Sequence, residues 1–312
     1  MVEIFLKTLP FFAVIGLGYF AGRRGFFSAE ATAYLTKFVF YFALSAMLFR
    51  FSASLNLGDV LSLDFVLAYL LATGLVYVVG FTFALLRRIP IEEAAVEAQC
   101  WAIGNVGFLG IPMLAVLMGP EAVGYVMVAL AVDLIVFGSL IVLVIVGARE
   151  GRMRISVIGT LLLGLAKNPM IVAIVAGLSW SALDIPMPSP LFEFVSLLGA
   201  AATPCALFAI GASLAEKTTE RVGTAFWLSF GKLILHPAFV AVSALLIFDV
   251  PPYAAAVMIV ASALPVAGNI YILAQHYRVA PQRVSASILV STAISVVSVS
   301  IVLSLVATSG AF

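Results

Sequence analysis

The chain has 312 residues, of which 64% are hydrophobic and only 10% charged, against about 25% charged in an ordinary soluble domain. Lys and Arg (16) nearly balance Asp and Glu (15), so with a net charge of +1 no overall field draws in a polyanion, and no nucleic-acid partner is expected. A mean hydropathy of +1.21 excludes a disordered chain, a disulfide-stapled secreted scaffold and a water-soluble domain, leaving an all-α integral membrane protein.

Ten stretches supply the roughly 20 mostly apolar residues that a bilayer-crossing helix needs. They are continuously apolar rather than alternating, so they are helices and not barrel strands. In chain order, Ile4–Gly22 is followed by Arg23 and Arg24, Ala31–Phe49 by Arg50, and Phe65–Leu86 by Arg87 and Arg88. The first span is long and lacks a small-residue cleavage site, so it reads as a span and not a removable signal. The fourth, Ala94–Met118, is interrupted at its centre by Asn105, Gly107, Gly110 and Pro112, with Glu97 and Gln99 nearer its inner end, where they are expected to line a vestibule. The fifth, Val123–Gly147, carries Asp133 near its middle and is followed by Arg149, Arg152 and Arg154.

A short connector, 149–167, contains the apolar stretch Ile155–Ala166, which either extends the next span or lies along the interface. The sixth span, Asn168–Leu183, opens at Pro169, and the seventh, Leu191–Leu214, contains Cys205 and Glu193 and is followed by Lys217 and Arg221. Cys205 and Cys100 both lie in apolar runs and read as unpaired core thiols. The eighth span, Thr224–Phe248, holds Lys232 four residues before His236, which puts both on one helix face. The ninth, Tyr253–Gln275, is broken by Pro265, Gly268 and Asn269 and followed by Arg278 and Arg283; Val284–Ala307 is the tenth.

The loops after odd-numbered spans carry eleven cations. The opposite loops offer Arg50 and the acids Asp59, Asp64, Glu121, Asp184 and Asp249. The positive-inside rule makes the cation-rich side cytoplasmic and puts both termini outside. Phe42–Leu55 and Ala201–Leu214, offset by 159, share six of fourteen residues, and the same offset superposes Pro10 on Pro169. Five spans per half is an odd number, so residues 1–148 and 168–312 form two inverted five-helix repeats, an architecture of transporters with the site near the midplane.

Proline removes a helix donor and glycine weakens the turns beside it, so spans four and nine are expected to break in mid-membrane. Their second halves then point two helix N-termini, with free N–H groups and partial positive charge, at one place suited to an anion. Asn105, Gly107, Gly110, Pro112, Pro265, Gly268 and Asn269 are the candidate substrate-binding residues. Proline kinks with asparagines bonding across helices are the structural alternative. Charges inside spans cost several kcal/mol unless paired or hydrated, so Asp133, Lys232 and His236 are candidate ionisable coupling residues, Lys232 as a fixed cation and Asp133 or His236 as proton acceptor. A structural ion pair or polar contact is the competing reading of the same three residues.

GNVGFLGIP in span four, ALPxxxNxYxLAxxY in span nine, PxALFxxGxSL in span seven and GKLxxxP in span eight resemble the auxin efflux carrier family, which includes the plant PIN exporters and bacterial carriers associated with malonate and malate. The resemblance covers the whole chain. It implies a fold like that of the bile-acid sodium symporters, an elevator in which spans four and nine cross and a mobile domain moves against spans one, two, six and seven, in a homodimer. The long central loop of the plant exporters is absent, Ser45 stands where many relatives have proline, and Asn269 is a bacterial-type feature; a small organic anion is therefore implied rather than auxin.

Absence of HExxH, of a paired Cys/His ligand set, of a Walker loop and of a Gly-x-Ser nucleophile turn argues against an enzyme, a metal site or a cofactor. The sequence thus leads to a multi-pass cell-membrane carrier of small carboxylates working by alternating access, with H+ or Na+ as coupling ion. A gated anion channel or a membrane sensor on the same fold is the alternative.

Overall fold

The computed structural model describes residues 2–54, 62–150, 155–215 and 222–308. Leu55, Asp59, Arg152, Arg154, Lys217 and Arg221 lie outside the described residues, so the loop-charge pattern is only partly in view. Thirteen helices account for nearly all described residues: α1 Val2–Arg23, α2 Ala29–Ala53, α3 Leu63–Leu86, α4 Ile91–Ala102, α5 Val106–Leu117, α6 Ala122–Arg149, α7 Ile155–Ala166, α8 Pro169–Ala182, α9 Ser189–Ala215, α10 Gly223–Ile247, α11 Pro252–Ser262, α12 Gly268–Tyr277 and α13 Pro281–Thr308. Among the described residues there is no strand, only one isolated antiparallel bridge between Gly104 and Val266.

Seven of these helices are long and apolar enough to cross a membrane: α1 from Phe5 onward, α2, α3, α6, α9, α10 and α13; α5, α8 and α11 are shorter apolar helices. The protein is thus a multi-pass membrane protein. Apolar side chains such as Leu17, Phe20, Leu86, Leu197 and Leu246 face outward, as lipid-facing surfaces require.

Two helix ends show how sequence sets boundaries. Ser62 accepts a hydrogen bond from Phe65 N to start α3, and Asn168 Oδ1 accepts from Met170 N at 3.0 Å to start α8 at Pro169. Because Asn168 and Pro169 begin a new helix, α7 is a separate helix and does not extend the next one. Pro169 opens α8, whereas Pro10 stands well inside α1, so the two superposed prolines do not occupy equivalent helix positions.

Two sets of helices pack internally. In one, α1 lies along α9, and α2 packs on α8 and α9. Lipid offers no hydrophobic drive between helices, so close backbone approach through small residues does the work. A Cβ on Gly18 would overlap the Phe208 carbonyl, and one on Gly211 would overlap the Ile15 carbonyl, so only glycine lets these two helices meet. In the other set α3 packs on α4 and α10, α4 on α6, α6 on α11 and α10 on α13. The serine-rich α13 fits here because Ser285, Ser287, Ser291 and Ser295 are small and buried.

Candidate functional site

The two interrupted stretches meet. After α4 ends at Ala102 the chain is extended at Ile103, and α5 begins only at Val106. After α11 ends at Ser262 the helix is lost until Gly268. Between them, Asn105 N donates to Pro265 O at 2.8 Å, and Ala267 N donates to Ile103 O at 3.2 Å. Unwound backbone inside a bilayer must find partners, and here each segment supplies them to the other. Pro265 suits its place because it has no N–H to leave unpaired and offers only the carbonyl that is used. Val266 N, the remaining donor, goes to Ser291 Oγ on α13 at 3.1 Å.

Around this crossing sit the sequence-predicted residues. Neither α12 nor the stretch starting at Val106 has a capping side chain, although Val106 N itself donates to Gly104 O at 2.8 Å. Asn105, almost fully buried, immediately precedes one of them. Asn269 lies in the first turn of the other, half-buried, with its Oδ1 buried and unpartnered among the described residues. Gly268 is exposed, with open space where a Cβ would point. Gly107 and Gly110 do a different job. Cβ atoms there would come to 2.9 Å from Met170 Cε and 2.6 Å from Leu264 Cδ1, so these glycines let α8 and the unwound segment after α11 close in. Pro112 is buried inside α5, near the start of the regular α-helical stretch Ile111–Leu117 that follows the π-helical turn Val106–Gly110.

Behind the crossing lies a buried polar cluster. Asp133 and Lys232 both sit in π-helical turns, Asp133–Phe137 in α6 and Gly231–Leu235 in α10, which shift side chains off the regular helix surface. Lys232 Nζ donates to Ser262 O, the last residue of α11, and lies 2.8 Å from His236 Nδ1. Its Cε and Nζ would each be 3.1 Å from a Cβ on Gly104, so glycine at 104 makes room for it. His236 Nε2 is 3.1 Å from Thr73 Oγ1, and Tyr69 donates to Asp133 Oδ1 at 3.0 Å. Asp133 Oδ2 is unpartnered among the described residues. Lys232, fully buried, is therefore bound into the back of the crossing.

Tyr69, Thr73, Ser262 and Ser291 are members of this site that sequence reasoning missed. Single hydroxyls in apolar spans are common, and only the i, i+4 spacing of Tyr69, Thr73 and Tyr77 on α3 carried a signal. Glu97 is not a vestibule residue. It is 2% exposed, gripped by Arg87 and by Arg283 at 2.7 Å, while Arg283 also reaches Glu93 at 2.9 Å. Burial, and next the like charge of Arg283, pulls the Arg87 guanidinium below its ordinary range. Gln99, also buried, donates to Phe137 O at 3.3 Å. Glu193 is exposed.

The family model described as "Membrane transport protein" matches residues 3–303. A protein of Rhizobium meliloti (strain 1021) named "Putative malonate transporter" is 30% identical over 305 residues, covering 96% of this chain and 94% of that one. An Escherichia coli (strain K12) protein named "Uncharacterized transporter YfdV" is 28% identical over 308 residues, covering 93% and 94%.

Proposed function

We propose that this chain, which belongs to the membrane transport protein family, is a secondary carrier of small organic anions. The membership bears out the resemblance read from its motifs: the chain is a membrane transporter and not an enzyme. The observation that carries the anion reading is the crossing itself, which brings together two helix N-termini without capping side chains, with Asn105 before one and Asn269 in the first turn of the other, next to open space at Gly268. Two such ends supply about half an elementary charge each, enough to favour a carboxylate. The relative named for malonate supports the same class of substrate.

In this reading α4 with α5 and α11 with α12 are the fourth and ninth of ten spans, and residues 1–148 and 168–312 are inverted repeats. The set α1, α2, α8 and α9 is the scaffold, and the helices around the crossing move against it, carrying substrate across by alternating access in a homodimer of the cell membrane. H+ or Na+ couples the movement. The asymmetry of Pro10 and Pro169 is no obstacle, since proline is tolerated in membrane helices.

Purified protein in liposomes tests this with malonate as the first probe. A carrier gives saturable counterflow, inhibited by small carboxylates more than by amides of the same shape and far more than by matched amines. Equal inhibition by acid and amine would remove the anion assignment, and conductance too high for alternating access would make the protein a channel.

A further inference from the structure

An interrupted helix brings two ends to its break, and the two kinds of end have opposite sign. At the crossing α5 and α12 begin, with partial positive charge, but α4 and α11 end there, with partial negative charge of the same size. Left alone, the four ends nearly cancel, and the crossing holds little net attraction for an anion.

The negative ends are the ones that Lys232 meets. In α11 the carbonyls of Ile259, Val260 and Ala261 still accept from Ala263 and Leu264, so Ser262 O is the first without a helical donor. The residues after it are the reason: Pro265 has no N–H, and Val266 N donates instead to Ser291 Oγ on α13. The proline that breaks the span thus bares a buried carbonyl, and Lys232 Nζ donates to it. The end of α4 lies beside the same nitrogen, since a Cβ on Gly104, two residues past Ala102, would come to 3.1 Å from Lys232 Nζ. An ammonium only donates, so His236 Nδ1 accepts from it at 2.8 Å, and His236 is itself held by Thr73, with Oγ1 3.1 Å from Nε2. A flexible side chain is in this way fixed with its head between two helix C-termini.

We propose that Lys232 determines the charge selectivity of the carrier: it is a cation tethered at the C-termini of α4 and α11, which cancels their negative ends and leaves the N-termini of α5 and α12 to select an anion. This deepens the anion-carrier reading and rests on it. Lys232 lies behind the backbone and acts on the substrate only through the charge it brings to the frame of the site. In carriers built on broken helices, C-terminal ends of this kind coordinate a metal cation, and here a side chain stands in that place.

The acids nearby offset this charge only in part. Asp133 accepts from Tyr69 on α3 and makes no ion pair with Lys232 among the described residues. Coulomb energy falls with distance, so the group that touches the backbone of the crossing sets the local sign. Glu97, on α4, is already answered by Arg87 and Arg283.

The chain has five lysines, so replacing Lys7, Lys37, Lys167 and Lys217 with arginine leaves Lys232 as the one side-chain signal in nitrogen NMR of lysine-labelled protein. An ammonium at neutral pH is expected in the substrate-free protein; an amine overturns the proposal without reference to any substrate. Affinities for malonate and for its diamide, a neutral molecule of the same shape, are then read by thermal shift in the parent and in Lys232→Met, which keeps the reach of the side chain without its charge. At an effective dielectric of about 20, a unit charge about 10 Å away is worth roughly tenfold in binding for each charge on the ligand. The preference for malonate over the diamide should therefore fall by about tenfold or more, while affinity for the diamide stays within about threefold. Lys232→Gln, which retains an N–H donor for Ser262 O, should lose the preference in the same way and takes over if Lys232→Met does not fold. An unchanged preference in a folded variant, or equal loss of both affinities, overturns the proposal and makes the lysine a structural plug. Absence of any preference for malonate in the parent removes the anion reading itself.

Discussion

At the scale of single residues, what a side chain does here follows from whether its polar atoms are already engaged. Asn269 Oδ1 is buried and unpartnered, and Asn105 introduces a helix N-terminus without capping it. Among the described residues Asn269 Oδ1 is thus free to bind something else. Replacing either with Ala should weaken malonate binding by about 1 kcal/mol or more, measured by thermal shift against ligand concentration, with folding spared. Parental affinity in both variants would make the crossing purely structural. Glu97 is the opposite case, its carboxylate saturated by two guanidinium groups while almost wholly buried. Glu97→Ala leaves two cations facing an uncharged gap and should cost about 3 kcal/mol in denaturation experiments. The nearby pair Glu92–Arg149, at 3.9 Å and partly exposed, is the control; Glu92→Ala should cost less than about 1 kcal/mol.

Whole helices are governed by how closely their backbones approach. The packing of α1 on α9 depends on glycine at the contact, because a Cβ on Gly211 has no room beside the Ile15 carbonyl. Gly211→Ala should force the helices apart and lower stability by about 1–3 kcal/mol, seen as a lower melting temperature in detergent. Gly16→Ala, on the partner helix α1 but with nothing within 4 Å of the new methyl, should be neutral or slightly stabilising. Similar losses in both would mean that the pair α1 and α9 is sensitive to any substitution and that the contact is not special. The broken helices obey the same accounting of backbone groups: α4/α5 and α11/α12 can be interrupted only because each interruption supplies hydrogen bonds to the other.

For the molecule as a whole, the proposed arrangement across the membrane rests on its loop cations. A reagent that cannot cross the bilayer should label a cysteine at Phe26, which is 91% exposed beside Arg23 and Arg24, only from the cytoplasmic side. A cysteine at Pro186, beside Asp184, should be labelled only from outside. The background would be Cys100→Ala and Cys205→Ala, which removes the two native thiols. Labelling of both sites from one side would contradict the ten-span, outside-termini arrangement.

Apolar runs and the prolines and glycines that interrupt them act locally, through the continuous helix a bilayer demands and the donor a proline lacks, so they were legible in the sequence. Membrane character, helix positions and the breaks at Asn105 and Pro265 all followed from them. The motifs around those breaks were specific enough to point to the family. Partners were not legible, because a contact between α3, α6 and α10 joins residues far apart in the chain. Lys232 read as a fixed cation or half of a structural ion pair, with no sign of Ser262 O and Gly104 beside it, and Glu97 read as a vestibule residue until Arg283 reached it from α13. Tyr69 and Thr73 gave almost no sign at all, since a hydroxyl in an apolar helix acquires its role only from whichever donor or acceptor the packed helices bring within about 3 Å.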